Sequence, residues 1–203
     1  MDKAKIRLSQ KEAELIINAE FILTKNAILE KVKQLLSGLQ EKQQEFMNHH
    51  QLFFENDKSM LSPKISKGEN YKGLPYLILD YPRIFSASDI FAVRTMFWWG
   101  HSFSTTLHLA GNYKKRFEEK IITSLPSLSD TGFYYCINES PWEHDFETSN
   151  YLPLNDANKI FVEKNIREKP FIKLAVKTSL HQWDDALDLL FNYFSEIIEM
   201  LAY

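Results

Sequence analysis

Trp142-Glu143-His144-Asp145 is the stretch of this 203-residue chain whose residue types most directly suggest chemistry. A histidine between two carboxylates can ligate a metal or transfer protons, its pKa raised by the neighbouring negative charge. A hydrolase-like enzyme would use His144 with Glu143 or Asp145. The competing reading is a solvated acidic loop from which Trp142 alone tucks into the core. A metal needs three or four converging ligands, and adjacent loop residues rarely converge on one ion. His101, His108 and His181 could contribute, but the first two fall on opposite faces of a regular strand. Ligand-spacing motifs are absent, so no metal and no cofactor is expected, and the solvated loop is the preferred expectation.

Aromatic residues supply the second candidate. Phe91, Phe97, Trp98, Trp99, Phe103, Tyr134, Tyr135 and Trp142 crowd the middle of the chain. Such stripes usually form core, yet two adjacent tryptophans in a strand must point to opposite faces. Trp98 shares its face with Arg94. With Asp80 or Arg83 on a neighbouring strand, that face would suit a small planar or anionic ligand. The rival is an Arg94 stem that runs along Trp98 to reach water.

Other chemistry is poorly supported. Gly100-His101-Ser102-Phe103-Ser104 lacks the second glycine of a nucleophile elbow, and a strand pattern follows it. Cys136 lies in the apolar run Phe133-Tyr134-Tyr135-Cys136-Ile137, where burial would make the thiol inert. Six glycines do not assemble into a phosphate loop. Lys114-Lys115-Arg116 is followed at once by Glu118 and Glu119 and reads as a solvated face.

The elements that must position these residues follow from periodicity. Ser9-Gln10-Lys11-Glu12 is a capping box, and a helix break is expected at Thr24-Lys25-Asn26, with a long helix running to about residue 50. Ile22, Leu29, Val32, Leu36, Leu39 and Phe46 make a nearly heptad stripe. That stripe should cover the domain's own sheet; any excess width would give a homodimer through the N-terminal helices. Residues 56–70 read as a loop. Strands are expected at 74–80, 90–99, 102–110, 133–137 and 171–177, the second and third joined by a Gly100-His101 hairpin. A two-residue turn there would put large apolar groups on both faces, so either the loop is longer or both faces are partly covered, and covering helices are the favoured expectation. Asn112 should cap a helix that Pro126 stops, a long loop should run from 138 to 155, and Asp156 should cap a helix to about Arg167. Ser179-x-x-Gln182 should open the last helix. These elements predict one α+β domain over 1–203, a helical segment (1–56) followed by sheet with helices (71–203). Its antiparallel sheet would have four to six strands packed against N-terminal and C-terminal helices.

Tyr71-Lys72-Gly73-Leu74-Pro75, placed after a short capped helix and a long one and before aromatic strands, resembles the YktB-like family of uncharacterised bacterial proteins. The resemblance in element order covers nearly the whole chain. It implies an α+β fold and no particular activity, so it transfers no functional residue.

Charge narrows the function classes. Lys and Arg total 24 against 27 Asp and Glu, a formal −3, which argues against nucleic-acid binding, where clustered basic excess is needed. No apolar run approaches the roughly 20 residues of a membrane helix. One cysteine and a start without a signal peptide's apolar middle point to the cytoplasm. The expected function is a non-catalytic soluble binding module that holds a small ligand or partner at the aromatic sheet face; the alternative is the hydrolase-like enzyme.

Overall fold

Every second residue of the central strands is apolar, which obliges one side of the sheet to lie under helices. The computed structural model describes residues 6–49, 62–129 and 131–202. In these the chain forms α1 (Gln10–Ile16), α2 (Ala19–His49), β1 (Lys64–Tyr71), β2 (Leu74–Phe85), β3 (Ile90–Trp98), β4 (Ser102–Ala110) and α3 (Asn112–Leu128). Then follow β5 (Phe133–Cys136), β6 (Tyr151–Pro153), α4 (Lys159–Glu168), β7 (Phe171–Ser179), a 3-10 turn (Leu180–Gln182) and α5 (Ala186–Ala202). The strands make one antiparallel sheet in the order β1-β2-β3-β4-β7-β5-β6. Leu77, Phe97, Leu107 and Leu174 meet Leu36 of α2, Ile121 of α3 and Phe194 of α5 in one core.

The α+β class with flanking helices is as predicted, but seven strands exceed the expected four to six. β1 lies in a polar stretch that reads as loop, because an edge strand rich in Lys, Ser and Glu carries little hydrophobic period. β6 is three residues inside the expected long loop. The last part of the expected N-terminal helical segment, with the start of the expected 56–70 loop, lies in residues 50–61, outside the described residues.

Several boundaries shift for identifiable reasons. The Ser9 capping box forms, yet the break falls at Ile17-Asn18, because the Asn18 side chain accepts from the Phe21 amide and starts α2 there. Thr24 is then interior to α2, a helix of 31 residues and about 46 Å. The stripe Leu29, Val32, Leu36 and Leu39 is buried in the domain's own core. Asp89, and not Asn112, caps α3 by accepting from the Asn112 amide at 2.6 Å. α3 runs through Pro126 to Leu128. α4 starts after Asn158, not Asp156. Ser179 caps the 3-10 turn, and α5 begins later.

Both hairpins that build the site have readable turns. Lys72 and Gly73 have φ of 49° and 81°, the two positive values a type I′ turn needs between Tyr71 and Leu74. The β3–β4 loop holds three residues, so Phe97 faces Phe103 and Trp98 faces Ser102. That one extra residue resolves the parity: Phe97 joins the helix-covered core, and Trp98 goes to the other face with Ile78 and Met96. Among the described residues, helices therefore cover one face only.

Gly111 has φ of 61°, and a Cβ there would overlap the Ser88 carbonyl and the Asp89 carboxylate. Gly38, in α2, has nothing within 4 Å of such an atom. Urea denaturation should therefore show Gly111→Ala destabilised by about 2–3 kcal/mol and Gly38→Ala stabilised by about 0.5–1 kcal/mol.

Candidate functional site

On the face away from the helices, two small apolar clusters flank a polar strip. Ile78, Met96 and Trp98 form one cluster; Cys136, Tyr151, Phe171 and Ala175 form the other. Between them the strand register sets Asp80 opposite Arg94, Arg94 opposite Thr106, and His108 opposite Lys173. The segment after β5, from Ile137 to Asn150, crosses this strip and replaces a helical cover.

Two buried cations hold that segment in place. Lys173 is 1% exposed. Its ammonium donates to the backbone carbonyls of Pro141 (2.8 Å) and Glu143 and lies 3.4 Å from His144 Nδ1. Arg94 makes a bidentate pair with Asp80, at 2.7 and 3.0 Å, and places Nη1 3.3 Å from His144 Nε2. Burial lowers the Lys173 pKa to about 8.

Tyr71, at the end of β1, is the polar hub of the other side. Its hydroxyl accepts from the amides of His144 (2.8 Å) and Asp145 (3.2 Å) and faces the carboxylates of Glu143 and Asp145. Asp145 also accepts from Asn150 Nδ2 and pairs with Lys72 at 2.7 Å. Burial pushes the Asp145 carboxyl up, but the Lys72 and Asn150 contacts prevail and hold it below its ordinary value.

The acidic loop is thus not solvated as expected. Asp145 is buried and His144 half-buried, while Trp142 is the exposed member, at 50%. The histidine's pKa also moves opposite to expectation. Burial first, then the charges of Lys173 and Arg94, lower it well below 6.5. Both ring nitrogens face cationic donors, and Glu143 and Asp145 turn to Tyr71. His108 is lowered to about 3, chiefly by burial, and its Nε2 has no partner.

Of the expected ligand residues, Asp80 and Arg94 come together. Arg83 turns away to the Ser62 carbonyl. Trp98 is no open platform: His101 stacks on it at 3.4 Å and its Nε1 donates to the Tyr71 carbonyl. Arg94 therefore does not run along Trp98 to water. Sequence reasoning gave no role to Tyr71 or Lys173 and weighed His108 only as a metal ligand; for Lys173 and His108 the signal was polar residues at alternate positions of otherwise apolar strands. Cys136 is fully buried, which raises its thiol pKa. Among the described residues no group of three or more metal-capable side chains converges.

Two spaces adjoin the strip. Beneath Pro141 and Trp142, Arg94, Thr106, His108, His144 and Lys173 enclose about 10 Å³, room for one water. Outside it an open groove of about 420 Å³ has Ile78 and Met96 as floor, with Ser66, Lys67, Tyr71, Tyr76, Arg94, Trp142 and His144 around it. No family model, curated protein or solved structure matches the chain.

Histidines whose pKa is lower in the folded than in the unfolded state bind protons first in the unfolded chain, so stability must fall as pH drops below about 6.5. Urea midpoints between about pH 6.5 and pH 5 should report a loss near 1.4 kcal/mol per unit for His108, with His144 adding to it. His108→Gln should flatten the slope. Tyr71→Phe, which leaves two loop amides without their acceptor, should cost about 2–3 kcal/mol at pH 7.

Proposed function

We propose that the chain is a non-catalytic binding module whose site is the groove on the outer face of β1, β2 and β3. The observation that carries this reading is the groove itself: about 420 Å³, open to solvent, where Ile78, Met96 and the rings of Tyr71, Tyr76 and Trp142 meet the polar side chains of Ser66, Lys67, Arg94 and His144. Natural small-ligand sites fall in the same size range and likewise combine aromatic rings with a few polar groups. The bound molecule we infer is flat and largely uncharged. Arg94 is neutralised by Asp80, and Lys67 is partly offset by Glu69, a carboxylate it shares with Lys25, which leaves little net charge to attract an anion. Tyr71, Tyr76 and Trp142 offer ring edges and faces to a planar molecule. The lone buried thiol of Cys136 suits the reducing cytoplasm we infer as its setting.

The hydrolase-like reading, His144 with Glu143 or Asp145, draws less support. A general base needs a free lone pair and a pKa near the working pH. His144 has both nitrogens against cationic donors and neither carboxylate beside its ring.

Indole and indole-3-carboxylate are suitable probes. In NMR titrations indole should shift the Trp142 indole and Met96 methyl resonances with a dissociation constant at or below about 1 mM. The carboxylate should bind no more tightly. Ser66→Trp, which fills the groove from the edge strand, should weaken indole at least tenfold without loss of fold. Absence of any shift at Trp142 and Met96 would overturn the proposal.

A further inference from the structure

The N-terminal elbow shows what the domain leaves uncovered. Every described residue from 6 to 24 is exposed. Within that stretch Ile6, Leu8, Leu15, Ile16, Ile17, Phe21, Ile22 and Leu23 are 40–98% exposed. The cause is a mismatch of lengths. α2 carries its apolar stripe along the sheet, but Lys25 already pairs with Glu69 near the end of β1. The first turns of α2 therefore overhang the sheet edge, and α1 precedes them with no buried residue of its own.

We infer that this elbow is an interface with a second copy of the chain, formed by two-fold packing of α1 and the first turns of α2. The area fits. At about 200 Å² per fully exposed side chain of this size, the eight residues present on the order of 1,000 Å². A stable interface takes about 800 Å² from each partner, an area these side chains together can supply. The charge fits as well. Arg7 and Lys11 stand against Glu12, Glu14 and Glu20 over residues 6–24, a near balance that lets identical surfaces meet without a repulsive field. An elbow that lies on anionic lipid would instead carry a Lys- and Arg-rich polar face, which this one lacks. The stripe from Leu29 onward takes no part, being buried in the domain's own core.

Sedimentation equilibrium of the full chain tests this. Between about 1 and about 100 µM the mass should move from 23.9 kDa toward twice that value. Ile17→Glu and Phe21→Glu alter side chains exposed in the monomer, so each should keep the circular dichroism spectrum and raise the dimer dissociation constant at least tenfold. A monomer at both concentrations overturns the inference. A dimer unchanged in both variants overturns it too, because the interface then lies elsewhere. So does a monomer that co-sediments with phosphatidylglycerol–phosphatidylcholine vesicles, which would make a lipid surface the occupant.

Discussion

A lysine and an arginine on one face of a sheet, next to apolar side chains, can be removed from water only if opposite charge or carbonyl dipoles meet them. That requirement shapes the site side of this domain. Arg94 is answered by Asp80 across one strand pair, in the planar two-point geometry that suits a guanidinium. Lys173 has no carboxylate within reach and takes backbone carbonyls from Pro141 and Glu143. The long segment between β5 and β6 has little apolar periodicity. Its course is set by where the ammonium must find oxygen. Loss of a partner from such a buried pair typically costs about 3–5 kcal/mol, so the segment's position is a matter of folding energy and not of loop preference.

The same two cations decide what His144 does. Trapped between Arg94 and Lys173, the imidazole gives up its lone pair to a donor and resists a second proton. The acidic neighbours that make the local sequence look catalytic are diverted to the Tyr71 hydroxyl and, for Asp145, to Lys72 and Asn150. Tyr71 thereby ties the β1–β2 hairpin to the crossing segment. The groove is bounded by that tie, and its shape depends on both partners keeping their register.

The helices and the central strands were legible because their apolar residues repeat at 3.6 or 2, and the Ser9 box announced its helix outright. β1 was not, since Lys64-Ile65-Ser66-Lys67 has one side to solvent and needs no apolar face beyond Ile65. The solvent reading of His144 and Asp145 failed for a different reason. Nothing within the stretch from Trp142 to Asp145 reveals that Arg94, His108 and Lys173 lie in adjacent strands of one face. That information resides in the register, which one residue in the β3–β4 turn controls. The Lys72-Gly73 turn could have been found from its glycine and would have placed Tyr71 at a strand end. Arg94 with Asp80 was readable from parity alone. The Arg83 pairing failed at the irregularity between Asp80 and Arg83, where the strand gains residues relative to its partner.

The groove exists because cover on this face stops short. On the opposite face α2, α3 and α5 shield the sheet from β2 to β7. Here the crossing segment shields the charged strip and ends at Trp142, whose half-exposed ring leans on His108 and Phe85. Beyond it Ile78 and Met96 pack with Trp98, Tyr71, Leu74 and Tyr76 under the open groove. A flat apolar molecule laid over them would complete the layer that the helices complete on the other side. It would gain about 25 cal/mol for each Å² taken out of water, and it would need to break no ion pair to do so. A charged molecule would first have to compete with Asp80 for Arg94. The arrangement that makes the strip stable is thus the one on which our proposal of a neutral ligand rests.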